Sequence, residues 1–145
     1  MGAWGKRGKR EEGRVADVKL SQVEQIAIIV HDVDRAVTFY RDLLGLPFLF
    51  QVPQMAFFQC GEVRLMLGIP SAPEFDHPSS IIYFRVTDIE ATHQALVSRG
   101  VTFRSTPHLV HRAADHERWM AEFHDPDRNH LALMSRKALG SPRVA

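Results

Sequence analysis

Two rhythms of apolar residues alternate along this chain. The run from Ile26 to Val30 is strand-length and β-branched, which suits a half-buried pleated surface. After Asp32, apolar positions recur at Val33, Ala36, Val37, Tyr40 and Leu44, the i, i+3, i+4, i+7, i+11 stripe of an amphipathic helix. Asp32 is placed to accept a hydrogen bond from a first-turn amide, and Gly45 to supply a left-handed stop. Short strand-like segments follow at residues 48–52, 55–59 and 63–67.

The same order then returns. The segment QIAIIVHDVDRAVTFYRDLLGLPF (25–48) lies over IIYFRVTDIEATHQALVSRGVTF (81–103), so that Val30, Asp32, Val33 and Asp34 meet Val86, Asp88, Ile89 and Glu90. A one-residue slip brings Gly45, Leu46 and Phe48 onto Gly100, Val101 and Phe103. In the second copy Thr87 and Glu90 have capping-box spacing, Ile89, Thr92, His93 and Leu96 form the stripe, and Gly100 ends it. Strands are expected at 101–104, 119–124 and 130–135. The predicted unit is βαβββ, used twice.

The strand and Asp-capped helix with FYRDLLGLPF, the pair MAFFQCGEVRLMLGIP, the strand-helix IIYFRVTDIEATHQAL and the closing FHDPDRNHLALMS resemble the vicinal oxygen chelate superfamily. Glyoxalase I, bleomycin-resistance proteins, fosfomycin-resistance enzymes and extradiol dioxygenases belong to it. The resemblance implies an α+β fold: two βαβββ modules whose curved mixed sheets enclose a cavity, commonly completed by a homodimer. It covers about 25–135 and leaves the activity open, because one fold hosts many chemistries.

Length and charge refine the picture. With 145 residues, 16.5 kDa, 45% hydrophobic and 24% charged residues, the chain has the makeup of one globular domain. The expected organisation is a disordered basic tail over 1–20, one domain over 21–137 (module one about 23–70, module two about 79–136) and a flexible tail over 138–145. Residues 1–20 hold six Lys/Arg and three Asp/Glu, leaving 12 basic and 14 acidic groups on the remainder. A mildly acidic folded part argues against nucleic acid as a partner. No apolar run reaches signal-peptide or membrane-span length, so a cytoplasmic protein without a membrane partner is expected. Cys60 is the only cysteine, which excludes an internal disulfide and a cysteine zinc cluster. Walker A, G-x-G-x-x-G after a strand, G-x-S-x-G and H-E-x-x-H motifs are absent.

In metal-using members of the superfamily, one ligand comes from the first and one from the last strand of each module. The resemblance carries these positions onto Gln25, Leu65, Ile81 and Ala132, of which only Gln25 can coordinate a metal. No cofactor is therefore expected, and a divalent metal belongs to the alternative reading. If His124 and His130 flank a five-residue loop as a cross-strand pair, Glu122 faces Ala132 and a relocated site from Gln25, Glu122 and the hairpin histidines becomes conceivable. Arg128 stands where the superfamily usually has Gly in DPDGN, which predicts a strained or reshaped turn.

Among the other histidines, His108 and His111 should point to opposite faces of an extended segment, and His93 reads as a core histidine. Asp115, His116, Glu117 and Trp119 form a polar-aromatic cluster in which a carboxylate could tune an imidazole base. Strand alternation puts Ala27, Ile29, Tyr83 and Arg85 inward with Gln25 and Ile81, Val63 and Leu67 with Leu65, and His130 and Met134 with Ala132. The expected ligand-binding residues are Tyr83, Arg85, Trp119, Leu65 and Met134; the expected catalytic groups, should there be chemistry, are His116 and Glu122. Two functions follow. One is a binding protein holding a small organic molecule in an apolar cavity. The other is a metal-dependent glyoxalase-like lyase or isomerase, or a dioxygenase.

Overall fold

A computed structural model of the protein describes residues 18–140; of the expected tails over 1–20 and 138–145, residues 1–17 and 141–145 lie outside the described residues, and Ala138 belongs to the last strand instead. Strands β1 (Gln25–Ile29), β2 (Phe48–Val52), β3 (Met55–Cys60) and β4 (Val63–Gly68) form one sheet in the order β1-β4-β3-β2. Strands β5 (Ile82–Arg85), β6 (His108–Arg112), β7 (His116–His124) and β8 (His130–Ala138) form the second, in the order β5-β8-β7-β6. In each sheet the first strand pairs parallel with the last, β1 with β4 and β5 with β8. Such a pair requires a crossover, and the helical segment of each module is part of it. The βαβββ repeat predicted from sequence is the architecture.

One face of each sheet is covered by its helix. Ile28 and Val30, Ala56 and Phe58, and Leu65 and Leu67 turn this face of the first sheet into a single core cluster. Ala121, Phe123, Leu131 and Leu133 do the same for the second, with Ile89 and Leu96. The opposite faces are open.

The first helix departs from the expected stripe. Asp32 caps it, accepting from the Arg35 amide at 3.1 Å, but α1 (Val33–Val37) widens into a π-helical segment over Thr38–Leu43. The Leu44 amide accordingly bonds the Phe39 carbonyl five residues back, at 3.0 Å. The extra residue per turn brings Phe39 into the core beside Tyr40 and leaves Leu44 half-buried, and π segments of this kind recur at functional positions. Helix α2 (Ile89–Ser98) is capped by Asp88, which accepts from the Ala91 amide at 3.0 Å. The expected Thr87–Glu90 box does not form, because the cap is Asp88 and Glu90 is the second helical residue; Glu90 pairs with Lys137 at 2.8 Å.

The second sheet corrects another expectation. Val101–Arg104 contributes only an isolated Phe103–Phe123 bridge. Pro107 interrupts that run, and the strand forms after it as β6, against a β7 that begins at His116.

Candidate functional site

Register decides which side chains meet. Gln25 pairs with Arg64 and Ile26 with Leu65, so Leu65 shares the helix-covered face with Ile26 and lies in the core, only 2% exposed. Val63 and Leu67 share that face. The sequence reading placed all three beside Gln25; the alternation is shifted by one residue, and Arg64 and Met66 take the open face. There the Arg64 Nε donates to Gln25 Oε1 at 3.2 Å, and Gln25 Nε2 lies 3.7 Å from Met66 Sδ. In module two, Tyr83 pairs with Ala132, and Ile81 lies exposed just before β5.

This donor set does not fit a divalent ion. Its one amide oxygen is held by a guanidinium with a thioether beside it, and the module-two positions, Ile81 and Ala132, carry no donor side chain. Among the described residues, no three His, Cys, Asp or Glu side chains gather closely enough to hold a metal.

The closing hairpin has the register foreseen from its spacing: His124 faces His130 and Glu122 faces Ala132. Its loop, however, does structural work. Asp125 is 1% exposed. Its Oδ1 accepts from the amides of Asp127 and Asn129 at 2.9 and 2.8 Å, and its Oδ2 from the Tyr40 hydroxyl at 2.7 Å and Asn129 Nδ2 at 2.8 Å. Asn129 Nδ2 also reaches the Ile29 carbonyl at 2.8 Å. The loop of module two is thereby fastened to β1 and the π-helical segment of module one. Burial drives the Tyr40 phenol well above its usual pKa, with Asp125 adding to the shift, so the hydroxyl stays a donor. Arg128 does take a left-handed φ of 68°, as its replacement of Gly implies.

The pseudo-equivalent hairpin β3–β4 turns on Gly61 and Glu62 alone. Beside it opens a cavity of about 690 Å³ between the modules. Leu46, Cys60 and Leu65 line it from module one; Phe84, Leu96 and Leu133 line it from module two. Tyr83, Arg85 and Thr92 supply polar points. Desolvation raises the Cys60 thiol pKa, which makes this sulfur a weak nucleophile.

Tyr83, Arg85 and Met134 also meet on the open face of the second sheet, around a second cavity of about 460 Å³. Trp119 does not join them. It pairs with Ser135 on the other face, where its Nε1 donates to Glu117 at 3.0 Å and the Lys137 ammonium lies 4.1 Å from its ring centre. Trp119 and Arg112 hold the Glu117 carboxyl below its ordinary pKa.

His116 and Glu122, the two expected catalytic groups, lie on one face of β7 but six residues apart, roughly 20 Å at strand rise. The His116 Nδ1 is 2.8 Å from Asp115 Oδ1 and 3.2 Å from an Arg136 nitrogen, and the imidazole lowers the Asp115 pKa. A bulge between Leu109 and His111 sets His108 opposite Met120 and His111 opposite Arg118, so these two histidines share a face, contrary to strict alternation. The His93 ring packs edge-on against Phe103 at 4.5 Å. Sequence reasoning missed Arg118 and Arg136 on the open face; extending the alternation from Glu122 and Met134 would have found both.

The fold and these motifs have close counterparts. The family model described as Glyoxalase/Bleomycin resistance protein/Dioxygenase superfamily matches residues 22–133. The protein YraH of Bacillus subtilis (strain 168), described as uncharacterized, is 30% identical over 75% of this chain and 94% of its own length. A solved superfamily member from Sphaerobacter thermophilus is 27% identical with a TM-score of 0.66, over 81% of this chain and 99% of that one. TnmS3, an antibiotic binding protein from Streptomyces sp. CB03234, superposes with a TM-score of 0.66 at 23% identity, over 82% and 98% of the two chains. By sequence and by architecture, this chain belongs to the glyoxalase/bleomycin resistance protein/dioxygenase superfamily.

Proposed function

We propose that the protein binds a small, largely apolar organic molecule in the cavity between its modules, without the four-ligand metal centre of the metal-using members. The observation that carries this reading is the cavity itself. Its volume of about 690 Å³ falls within the range of small-molecule sites, and apolar walls with a few polar points are their usual makeup. A ligand of about 25 heavy atoms at roughly 0.3 kcal/mol per atom would bind with a Kd of a few micromolar. Antibiotic binding by TnmS3 fits this reading through the fold alone.

A metal-dependent lyase, isomerase or dioxygenase is the second reading. One observation favours it: Glu122, His124 and His130 share an end of the open sheet face. It would require those groups to converge around an ion.

Cys60 reports directly on the cavity. A panel of uncharged aromatic and polycyclic ligands is screened by thermal shift in chelator, and alkylation of Cys60 by iodoacetamide is then timed with and without each hit. Saturable slowing of alkylation is the expected result. Ligands that bind while Cys60 reacts at its free rate would place the site elsewhere.

A further inference from the structure

The open face of the second sheet carries a concentration of positive charge that the apolar cavity does not explain. Arg118 on β7 and Arg136 on β8 are directly opposite one another in the ladder. Arg85 on β5 pairs with Met134, two residues along β8 from Arg136, and adjacent strands are only about 4.8 Å apart. All three arginines line the same cavity of about 460 Å³, with Tyr83 and Met134. Like charges facing each other across a ladder destabilise a sheet.

Among the described residues, only one exposed carboxylate offsets this charge. Among the described residues, neither Arg85 nor Arg118 has a carboxylate within ion-pairing distance. The one carboxylate Arg136 reaches is the largely exposed Asp115, at 3.5 Å, which it shares with His116 at 2.8 Å, and the His116 Nδ1 lies 3.2 Å from the guanidinium. Guanidinium groups recognise carboxylate and phosphate oxygens through paired, charge-assisted hydrogen bonds.

We propose that Arg85, Arg118 and Arg136 form an oxyanion site that takes the phosphonate, phosphate or carboxylate head of a small organic molecule, whose apolar part rests on Met134 and Tyr83. Arg85 and Tyr83 line both cavities, but Arg118 and Arg136 do not line the one between the modules, so substitutions at these two separate the sites.

The test titrates the full chain at low salt by calorimetry with phenylphosphonate, benzoate, inorganic phosphate and neutral benzamide. Phenylphosphonate or benzoate should bind saturably and more tightly than inorganic phosphate, and benzamide should not bind. Arg118→Gln and Arg136→Gln should each weaken the bound aryl anion about tenfold or more, whereas Arg41→Gln, remote on the first helical segment, should leave it unchanged. Removing the facing charge should also keep or raise the thermal midpoint in Arg118→Gln. Absence of binding by both aryl anions, equal affinity for inorganic phosphate, or equal affinity in all variants would overturn the proposal. A loss of affinity that tracks a lowered midpoint in both arginine variants would also count against it. Binding of uncharged ligands that protects Cys60 should be unaffected by the arginine substitutions, which separates failure here from failure of the inter-module site.

Discussion

Replacing Tyr40 with Phe removes one oxygen from the best-buried polar cluster in the molecule and leaves its packing intact. The ring keeps its edge contact with Phe39, at 5.2 Å between centres, and its neighbour Phe58 at 6.2 Å. What disappears is a 2.7 Å hydrogen bond to the Asp125 carboxylate, between residues 0% and 1% exposed. A hydrogen bond to a charged group contributes about 1.5–3 kcal/mol. Three other donors still satisfy Asp125, which keeps the cost inside that range rather than at the larger value for an unpaired buried charge. For a domain of this size the midpoint of thermal unfolding should fall roughly 5–12 °C.

Asp125→Asn should cost at least as much. Its amide oxygen can keep the two backbone donors, but its NH2 group then faces Asn129 Nδ2, donor against donor. Urea unfolding of the single variants and the double variant, followed by circular dichroism, gives the coupling energy. A coupling of about 1–2 kcal/mol is expected. Strict additivity, or a Tyr40→Phe protein within about 0.5 kcal/mol of wild type, would refute the idea that this bond fastens the two modules.

Three further outcomes follow from the same structure. Arg128→Gly should stabilise the protein by up to about 1 kcal/mol by relieving its left-handed φ, measured by the same unfolding assay; destabilisation would show that the side chain makes a compensating contact. The Asp76 carboxylate 2.9 Å away, helped by Asp127, raises the His31 pKa above 6.5, so its stabilising contribution is complete below about pH 6.5 and is lost as pH rises through the raised value. At low salt the midpoint difference between wild type and His31→Asn should therefore shrink from pH 5.5 to 8, and a pH-independent difference would contradict this. Light scattering should give twice the 16.5 kDa chain mass, because Phe50 and Tyr83, on the open faces, remain 45% and 50% exposed; a monomer at all concentrations would contradict it.

The repeat and its strand order were legible because strand-period and helix-period runs recur with Asp caps at fixed offsets. Periodicity alone could not place the π segment after Val37, since a widened turn is set by how Phe39 and Tyr40 pack rather than by residue type. Leu65 was put on the wrong face because β1 and β4 are far apart in sequence and no local signal fixes their parallel register, and a one-residue shift exchanges the faces. Tyr83, Arg85 and Met134 were grouped from alternation, and the structure brings them together. Trp119 was added to them from its polar-aromatic cluster with His116, but odd-numbered positions of β7 point the other way. The link between Tyr40 and Asp125 spans 85 positions and left no local signal, although both lie inside the motifs that carried the family resemblance.

The most direct measurement of the central claim is the affinity of a Cys60-protecting ligand for metal-stripped protein, compared with the same protein incubated with zinc, nickel, manganese or iron(II) and assayed for bound metal. The account predicts one micromolar affinity throughout and substoichiometric metal. An affinity or turnover that appears only with about one ion per chain would contradict it and direct attention to Gln25, Glu122 and the hairpin histidines.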